Sequence, residues 1–167
     1  MKKIIVPVDF SEQSEFALKT AAKLAKKNNG EILALHMLEM SDAVLTKGDG
    51  MQNEKAVFFL KLAEQKFEEF LNKDFLEDIK VTPIVKHFKV FSEVNDVAAK
   101  SNADLIVMGS HGATGVKEFL VGSNTERVVR NSDIPVLVVK NDLSQTDFEI
   151  VVMACGFSED SIPAYHK

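Results

Sequence analysis

A glycine-rich segment in the second half of the chain has the residue types and spacing of a phosphate site. Gly109 follows a short apolar run, where bare backbone lets a ligand approach closely, and Gly112 and Gly115 can adopt positive φ, so that successive N–H groups converge on an anion. Gly122 and Ser123 open a predicted helix whose free N–H groups and dipole favour a phosphate. One dipole contact contributes only about 0.3–1 kcal/mol, so several donors must act together. The alternative is an ordinary glycine turn before a capped helix.

The histidines and the cysteine give no sign of catalysis or of a metal site. His111 lies inside the glycine-rich segment, where it can donate to a phosphate or face solvent, but no nucleophile–base pair surrounds it. His36 and His87 fall in predicted strands and are expected to be satisfied there. No Cys/His cluster has zinc spacing, and Cys155 is expected to be a small apolar strand residue. We therefore predict no catalytic residue and no metal ligand.

The elements that must position this segment alternate between strand and helix. Compact apolar runs predict five strands, at residues 2–8, Glu31–Leu38, 81–88, 104–108 and Val136–Val139. Pro83 lies within the third run and cannot donate a backbone hydrogen bond, so we expect that strand at an edge of the sheet. Ser11 is expected to cap the first helix, which Asn29 and Gly30 end, and Ser92 to cap a short later one.

Helical periodicity predicts the remaining helices. A long amphipathic helix is expected from 56 to 71 and a shorter one from 123 to 130, whereas residues 39–53 are predicted to be a mobile loop. This alternation predicts an α/β fold, an open, mostly parallel five-stranded sheet with helices on both faces. Ligands of such sheets bind beyond the carboxyl ends of the strands, at a topological switch point.

Composition limits the protein class and the partners. The chain has 167 residues, of which 46% are hydrophobic and 27% charged, as in one globular domain. Its net charge of −5 gives no bulk attraction to nucleic acid or anionic lipid, so local geometry must hold a nucleotide. One cysteine fits a reducing compartment, and no apolar stretch has the length of a signal peptide or a membrane span. We expect a cytoplasmic protein without nucleic-acid or membrane partners.

The last residues repeat the pattern of the first. Ile4-Ile5-Val6 recurs as Val151-Val152-Met153, and Phe10-Ser11-Glu12 recurs as Phe157-Ser158-Glu159. We expect one domain over 1–141, and over 142–167 a linker and the truncated start of a second repeat. The alternative is a chance amphipathic tail. Residues 148–155 are expected to form an extra strand that pairs with a sheet edge of the same or a partner subunit.

The glycine spacing resembles that of a known family, the universal stress proteins, and in particular their ATP-binding branch. Gly109, two residues, Gly112, nine residues and then Gly122-Ser123 reproduce the nucleotide motif of that branch. Further similar segments are Pro7-Val8-Asp9-Phe10-Ser11, Leu35-His36-Met37, Met108-Gly109-Ser110-His111-Gly112 and Pro135-Val136-Leu137-Val138-Val139. The resemblance implies a Rossmann-like sheet of the adenine nucleotide alpha hydrolase type and a homodimer formed through residues 135–139. Tandem copies also occur in the family.

The resemblance also implies which residues contact the nucleotide. Asp9 would accept hydrogen bonds from the ribose or the adenine side; the alternative is that Asp9 is the partner of Ser11 at the helix start. Pro7 and Val8 would pack beside the ligand, and Met37 would offer backbone groups to the adenine. The residues of the ribose and phosphate side would be Met108, Gly109, His111, Gly112, Gly122, Ser123, Asn124 and Thr125. The family usually has an apolar residue where Asn124 stands.

Three functions are compatible with these residues. The first is a regulatory module of the stress response that binds ATP, with Mg²⁺ held by the phosphates, without efficient turnover. The second is a slow ATP hydrolase or phosphotransferase, against which stands the lack of a GxxxxGK[ST] motif and of an obvious arginine or lysine clamp. The third is a nucleotide-free dimeric interaction protein, against which stands the intact glycine spacing. The sequence favours binding.

Overall fold

Five parallel strands form the centre of the computed structural model, which describes residues 2–38, 50–87, 90–110 and 122–143. The strands are β1 (Lys3–Val8), β2 (Glu31–Leu38), β3 (Val81–His87), β4 (Leu105–Gly109) and β5 (Val136–Val139). Their order in the sheet is β3-β2-β1-β4-β5, and all four pairs are parallel. The predicted α/β fold with an open five-stranded sheet is therefore confirmed.

Four helices cover the two faces of the sheet. They are α1 (Glu12–Asn28), α2 (Gly50–Leu71), α3 (Val90–Ser101) and α4 (Ser123–Asn131), and a short 3₁₀ turn spans Asp74–Leu76. One core contains apolar residues of α1 and α2, among them Leu18 and Phe67, packed on alternate strand residues such as Val6. The other contains residues of α3 and α4, among them Val94 and Val128. The sheet is thus buried on both faces, as its continuous apolar runs require.

The first helix begins and ends as its sequence predicts. Ser11 is the N-cap, and its hydroxyl oxygen accepts the backbone N–H of Ser14 at 3.2 Å. Asn29 ends the helix in the left-handed region, with φ 50°. The position of β3 at an edge of the described sheet also fits its sequence, because Pro83 lies in this strand.

Three sequence predictions of element boundaries are wrong. Helix α3 begins at Val90, so Ser92 lies inside its first turn and is not its N-cap. A serine is tolerated within a helix as well as at an N-cap. Helix α2 begins at Gly50, so residues 50–53 are helical and do not belong to a loop. Strand β4 begins after Asp104, whose carboxylate accepts the backbone N–H groups of Lys2 and Lys3 at 2.6 and 2.9 Å at the amino edge of the sheet.

Gly109 ends β4 at the point where α1 crosses closest to it. A Cβ at this position would lie 2.9 Å from Gln13 Cβ and 3.0 Å from the Gln13 carbonyl carbon and oxygen. The sequence analysis explained this glycine by close approach of a ligand, but the structure explains it by close approach of a helix backbone. Glycine at this position lets α1 lie directly on the end of β4.

We expect Gly109→Ala to destabilise the fold by about 1–3 kcal/mol, the usual cost of inserting a group into a filled space. The clash is with the Cβ, the carbonyl carbon and the carbonyl oxygen of Gln13, none of which a side-chain rotation can move, so the backbone of α1 must shift. Urea unfolding followed by circular dichroism measures the loss. An unchanged unfolding free energy would show that α1 can shift without cost.

Candidate functional site

The carboxyl ends of β1 and β4 separate at the centre of the sheet. The β1–β2 register runs over six pairs, from Lys3 with Glu31 to Val8 with His36. The β1–β4 register has only two pairs, Ile4 with Leu105 and Ile5 with Ile106. From β1 the strand order continues to β2 on one side and to β4 on the other, so this is the topological switch point. Open α/β sheets bind their ligands at this place.

Three predicted site residues lie on one face at this edge. Met37 and Met108 are 9% and 5% exposed and belong to the core under α3 and α4. Pro7 follows Ile5 of the same core by two residues, and side chains two apart share a face. Val8 has its side chain in the opposite core, under α1 and α2. Val8 therefore reaches this edge with its backbone, and its packing beside a ligand stays a prediction.

Asp9 follows β1 directly and is exposed. Its Oδ1 accepts the Ser11 backbone N–H at 3.1 Å and the Ser11 hydroxyl at 2.5 Å, which forms a turn at the start of α1. The alternative role of Asp9, as partner of Ser11, is thus confirmed as a contact. The contact of Asp9 with a ribose or an adenine stays a prediction.

The first turn of α4 provides backbone donors at the same edge. Gly122 is its N-cap, with φ −57° and no side-chain capping hydrogen bond. The N–H groups of Ser123, Asn124 and Thr125 open the helix, and the first N–H groups of a helix have no partner within it. Ser123 and Asn124 are exposed. This helix end differs from that of α1, where Ser11 accepts the N–H of Ser14.

Two hydrogen bonds join the ends of the glycine-rich segment. The Gly122 N–H donates to the Ser110 carbonyl at 2.8 Å, and the Thr125 hydroxyl donates to the Gly109 carbonyl at 3.0 Å. Thr125 is only 4% exposed. Its one hydroxyl proton is therefore committed to Gly109, and a phosphate contact through that donor would require this bond to break. Residues 111–121, among them the predicted His111 and Gly112, lie outside the described residues.

His36 lies beside the site, and its contacts there were not predicted from the sequence. It lies in β2 opposite Val8, and its Nδ1 is 2.8 Å from the Val8 carbonyl oxygen. Because a carbonyl only accepts, Nδ1 carries the proton. The ring packs 4.4 Å from that of Phe10 and edge-on to Phe67, with centroids 5.9 Å apart. His36 is a satisfied strand residue, as predicted; the side chain of His87 is outside the description.

Burial lowers the pKa of His36, although the Val8 carbonyl and the Asp9 charge act in the opposite direction. The nearby Lys66 lowers the pKa further. The neutral ring, with its proton on Nδ1, is therefore the form that the fold favours. Among the described residues, no group of His, Cys, Asp and Glu side chains could hold a metal ion. No helix in the same part of the chain is long and apolar enough to cross a membrane.

We expect acid to destabilise the protein through His36. A pKa held below the ordinary 6.5 means that the unfolded chain takes up the proton first, so stability present above pH 6.5 is lost as the pH falls through the folded value. The unfolding free energy should fall more between pH 7 and pH 5.5 in the wild type than in His36→Phe. Carboxylates such as Asp104, whose pKa the Lys2 and Lys3 amides lower, lose their contribution only at lower pH. Equal slopes would contradict this role.

Comparison with known proteins identifies relatives over most of the chain. The universal stress protein family matches residues 1–140. Universal stress protein MJ0577 of Methanocaldococcus jannaschii is 35% identical over 153 residues, covering 83% of this chain and 94% of the relative. Universal stress protein MJ0531 of the same organism is 35% identical over 146 residues, covering 83% and 82%.

Solved structures agree with the sequence comparison. The structure of MJ0577 has a TM-score of 0.73 at 34% identity and covers 84% of this chain and 96% of its own. Universal stress protein UspA from Lactobacillus plantarum has a TM-score of 0.63 at 22% identity, covering 83% and 97%, which shows a common fold. The matched region contains all five strands and both ends of the glycine-rich segment. The chain belongs to the universal stress protein family.

Proposed function

We propose that this universal stress protein is a regulatory module that binds an adenine nucleotide, with ATP as the preferred ligand, and does not turn it over efficiently. The first turn of α4 carries the proposal. Its backbone N–H groups lie at the carboxyl edge of the sheet, with no side-chain cap at Gly122. A helix end of this kind favours the negative charge of phosphates.

The remaining predicted residues would hold the other parts of the nucleotide. Asp9 directly follows β1, and Pro7 is the last residue but one of that strand. Met37 and Met108 hold the same position in β2 and β4. In the proposed complex the phosphates lie at α4, the ribose between β1 and β4, and the adenine near Met37. His111 and Gly112, which lie outside the described residues, stay predicted phosphate contacts, and the phosphates would hold Mg²⁺.

Two proteins of the same fold are described in complex with adenine nucleotides. One universal stress protein, with a TM-score of 0.55, is in complex with cAMP, and another from Archaeoglobus fulgidus, with a TM-score of 0.52, is in complex with dAMP. At 19% and 20% identity these likenesses show the fold alone. The proposal for this chain rests on its own strand ends and helix end.

Binding without turnover agrees with the chemistry of the described residues. Phosphoryl transfer needs a group that orients the attacking water or hydroxyl and a cation that clamps the phosphates. His36 has its Nδ1 proton on the Val8 carbonyl and lies on the α1 and α2 face, away from Met37 and Met108. The sequence has no GxxxxGK[ST] motif.

The nucleotide proposal predicts that a β-branched side chain at Gly122 weakens ATP binding. Valine there would crowd the amides of the first α4 turn, and we expect at least a tenfold higher dissociation constant by calorimetry. Lys27→Val is the control, since Lys27 is exposed in the last turn of α1, at the opposite edge of the sheet. Mass spectrometry of ligand released from fresh protein identifies the nucleotide. No released ligand and no calorimetric signal would favour the nucleotide-free dimeric module. Release of phosphate from ATP above the level of Gly122→Val would instead support the slow hydrolase or phosphotransferase.

We also propose a homodimer formed through residues 135–139, which include β5. Strand β5 is an edge of the described sheet. The carbonyl of Pro135, just before β5, accepts the N–H of Ile106 in β4, and the carbonyl of Val139 accepts the N–H of Ser110, just after β4. Because alternate residues of a strand bond to opposite sides, Val136 and Val138 direct their N–H groups away from β4. These outward groups are suited to pair with a second copy. The pairing of residues 148–155 with a sheet edge remains a further proposal, on residues outside the description.

Val138→Pro tests the dimer. Proline removes the outward N–H of Val138 and should leave the β4–β5 hydrogen bonds in place. We expect a dimer for the wild type and a monomer for the variant by sedimentation at micromolar concentration, with little change in far-UV circular dichroism. A variant that stays dimeric, or a monomeric wild type, would exclude this interface.

A further inference from the structure

A single imidazole contacts both neighbours of Asp9. The Nδ1–H of His36 donates to the carbonyl of Val8, which precedes Asp9, at 2.8 Å. The ring of His36 packs against the ring of Phe10, which follows Asp9, at 4.4 Å. The turn that carries the Asp9 carboxylate is therefore held from both sides by one residue of β2.

The backbone of this turn needs such support. Phe10 has φ 64°, a left-handed conformation that is unfavourable for a residue with a Cβ. Phe10 also packs edge-on against Phe67 and Phe70 of α2, with centroids 5.5 and 5.6 Å apart, and the Lys66 ammonium lies 6.0 Å from the Phe10 ring centroid. The aromatic contacts hold the partly buried ring of Phe10 against the core, and thereby keep its backbone in this conformation.

We propose that His36 is a positioning residue of the nucleotide site, which fixes the direction of the Asp9 carboxylate through its hydrogen bond to the Val8 carbonyl. This inference rests on the proposed function, because it assigns Asp9 to the nucleoside side of the ligand. His36 itself lies on the α1 and α2 face and does not contact the ligand. Its action is limited to the nucleoside end, since the phosphates are held by α4, on the other face of the sheet.

Two substitutions separate the functions of the imidazole. His36→Phe keeps a ring against Phe10 and removes the donor to Val8. His36→Asn can place its Nδ2–H near the position of Nδ1 and keeps that donor, without the ring. If the donor positions Asp9, the asparagine variant should bind as the wild type does and the phenylalanine variant should not.

The decisive comparison is between ATP and inorganic tripolyphosphate, which has the phosphates without the nucleoside. By calorimetry we expect His36→Phe to weaken ATP binding about tenfold, the scale of one lost hydrogen bond, and to change tripolyphosphate binding less than twofold. Asp9→Ala should show the same pattern. Equal losses for both ligands would reveal a general structural role and overturn the inference, as would unchanged ATP binding in His36→Phe or in Asp9→Ala.

A readout without ligand keeps this inference separate from the proposed function. The Ser11 backbone N–H donates to Asp9 Oδ1 at 3.1 Å, so its hydrogen exchange reports the position of Asp9. We expect at least tenfold faster exchange of this amide in His36→Phe and no change in His36→Asn. Unchanged exchange in His36→Phe would overturn the positioning role. A wild type that binds neither ATP nor tripolyphosphate would overturn the proposed function, while the exchange would still decide whether His36 positions Asp9.

Discussion

The close contact between α1 and the end of β4 determines the geometry of the candidate site. At Gly109 the missing side chain lets the Gln13 backbone lie on the strand, and the Gly109 carbonyl accepts the Thr125 hydroxyl from α4. Helices on the two faces of the sheet are thereby fixed to one residue of the strand. Asp9 precedes α1 and the proposed phosphate donors open α4, so in the proposed complex Gly109 would help to set the spacing of the two ends of the nucleotide.

The two helices differ in how their first N–H groups are satisfied. Ser11 caps α1 with its own hydroxyl, and Asp9 in turn accepts the Ser11 N–H and hydroxyl. The dipole of α1 is therefore compensated within the chain. Gly122 has no side chain to cap α4, so its first N–H groups are available to an external anion. In the proposed function, the glycine at this position matters because it leaves the helix start without a side-chain cap.

Local rules were sufficient for the fold, whereas contacts between distant residues were not predictable. Apolar runs gave all five strands, and Ser11 and Asn29 gave both ends of α1, because capping acts within a few residues. The reason for Gly109 was missed, since Gln13 is close to it only after folding. The Thr125–Gly109 and His36–Val8 bonds were missed for the same reason. Ser92 shows the opposite error: serine is a residue type that favours N-caps, but the helix begins two residues before it.

An acidic chain can bind a polyanion when its carboxylates are compensated locally. At the amino edge of the sheet, Asp104 accepts the Lys2 and Lys3 amides, which lower its pKa, and Glu31 pairs with Lys80 at 2.6 Å. Within α4, Glu126 in the first turn pairs with Arg130 at 2.9 Å. The acid in the first turn of α4 thus has its own cation. The net charge of −5 is then no obstacle, because the field at a helix start falls off within a turn and depends on neighbouring groups.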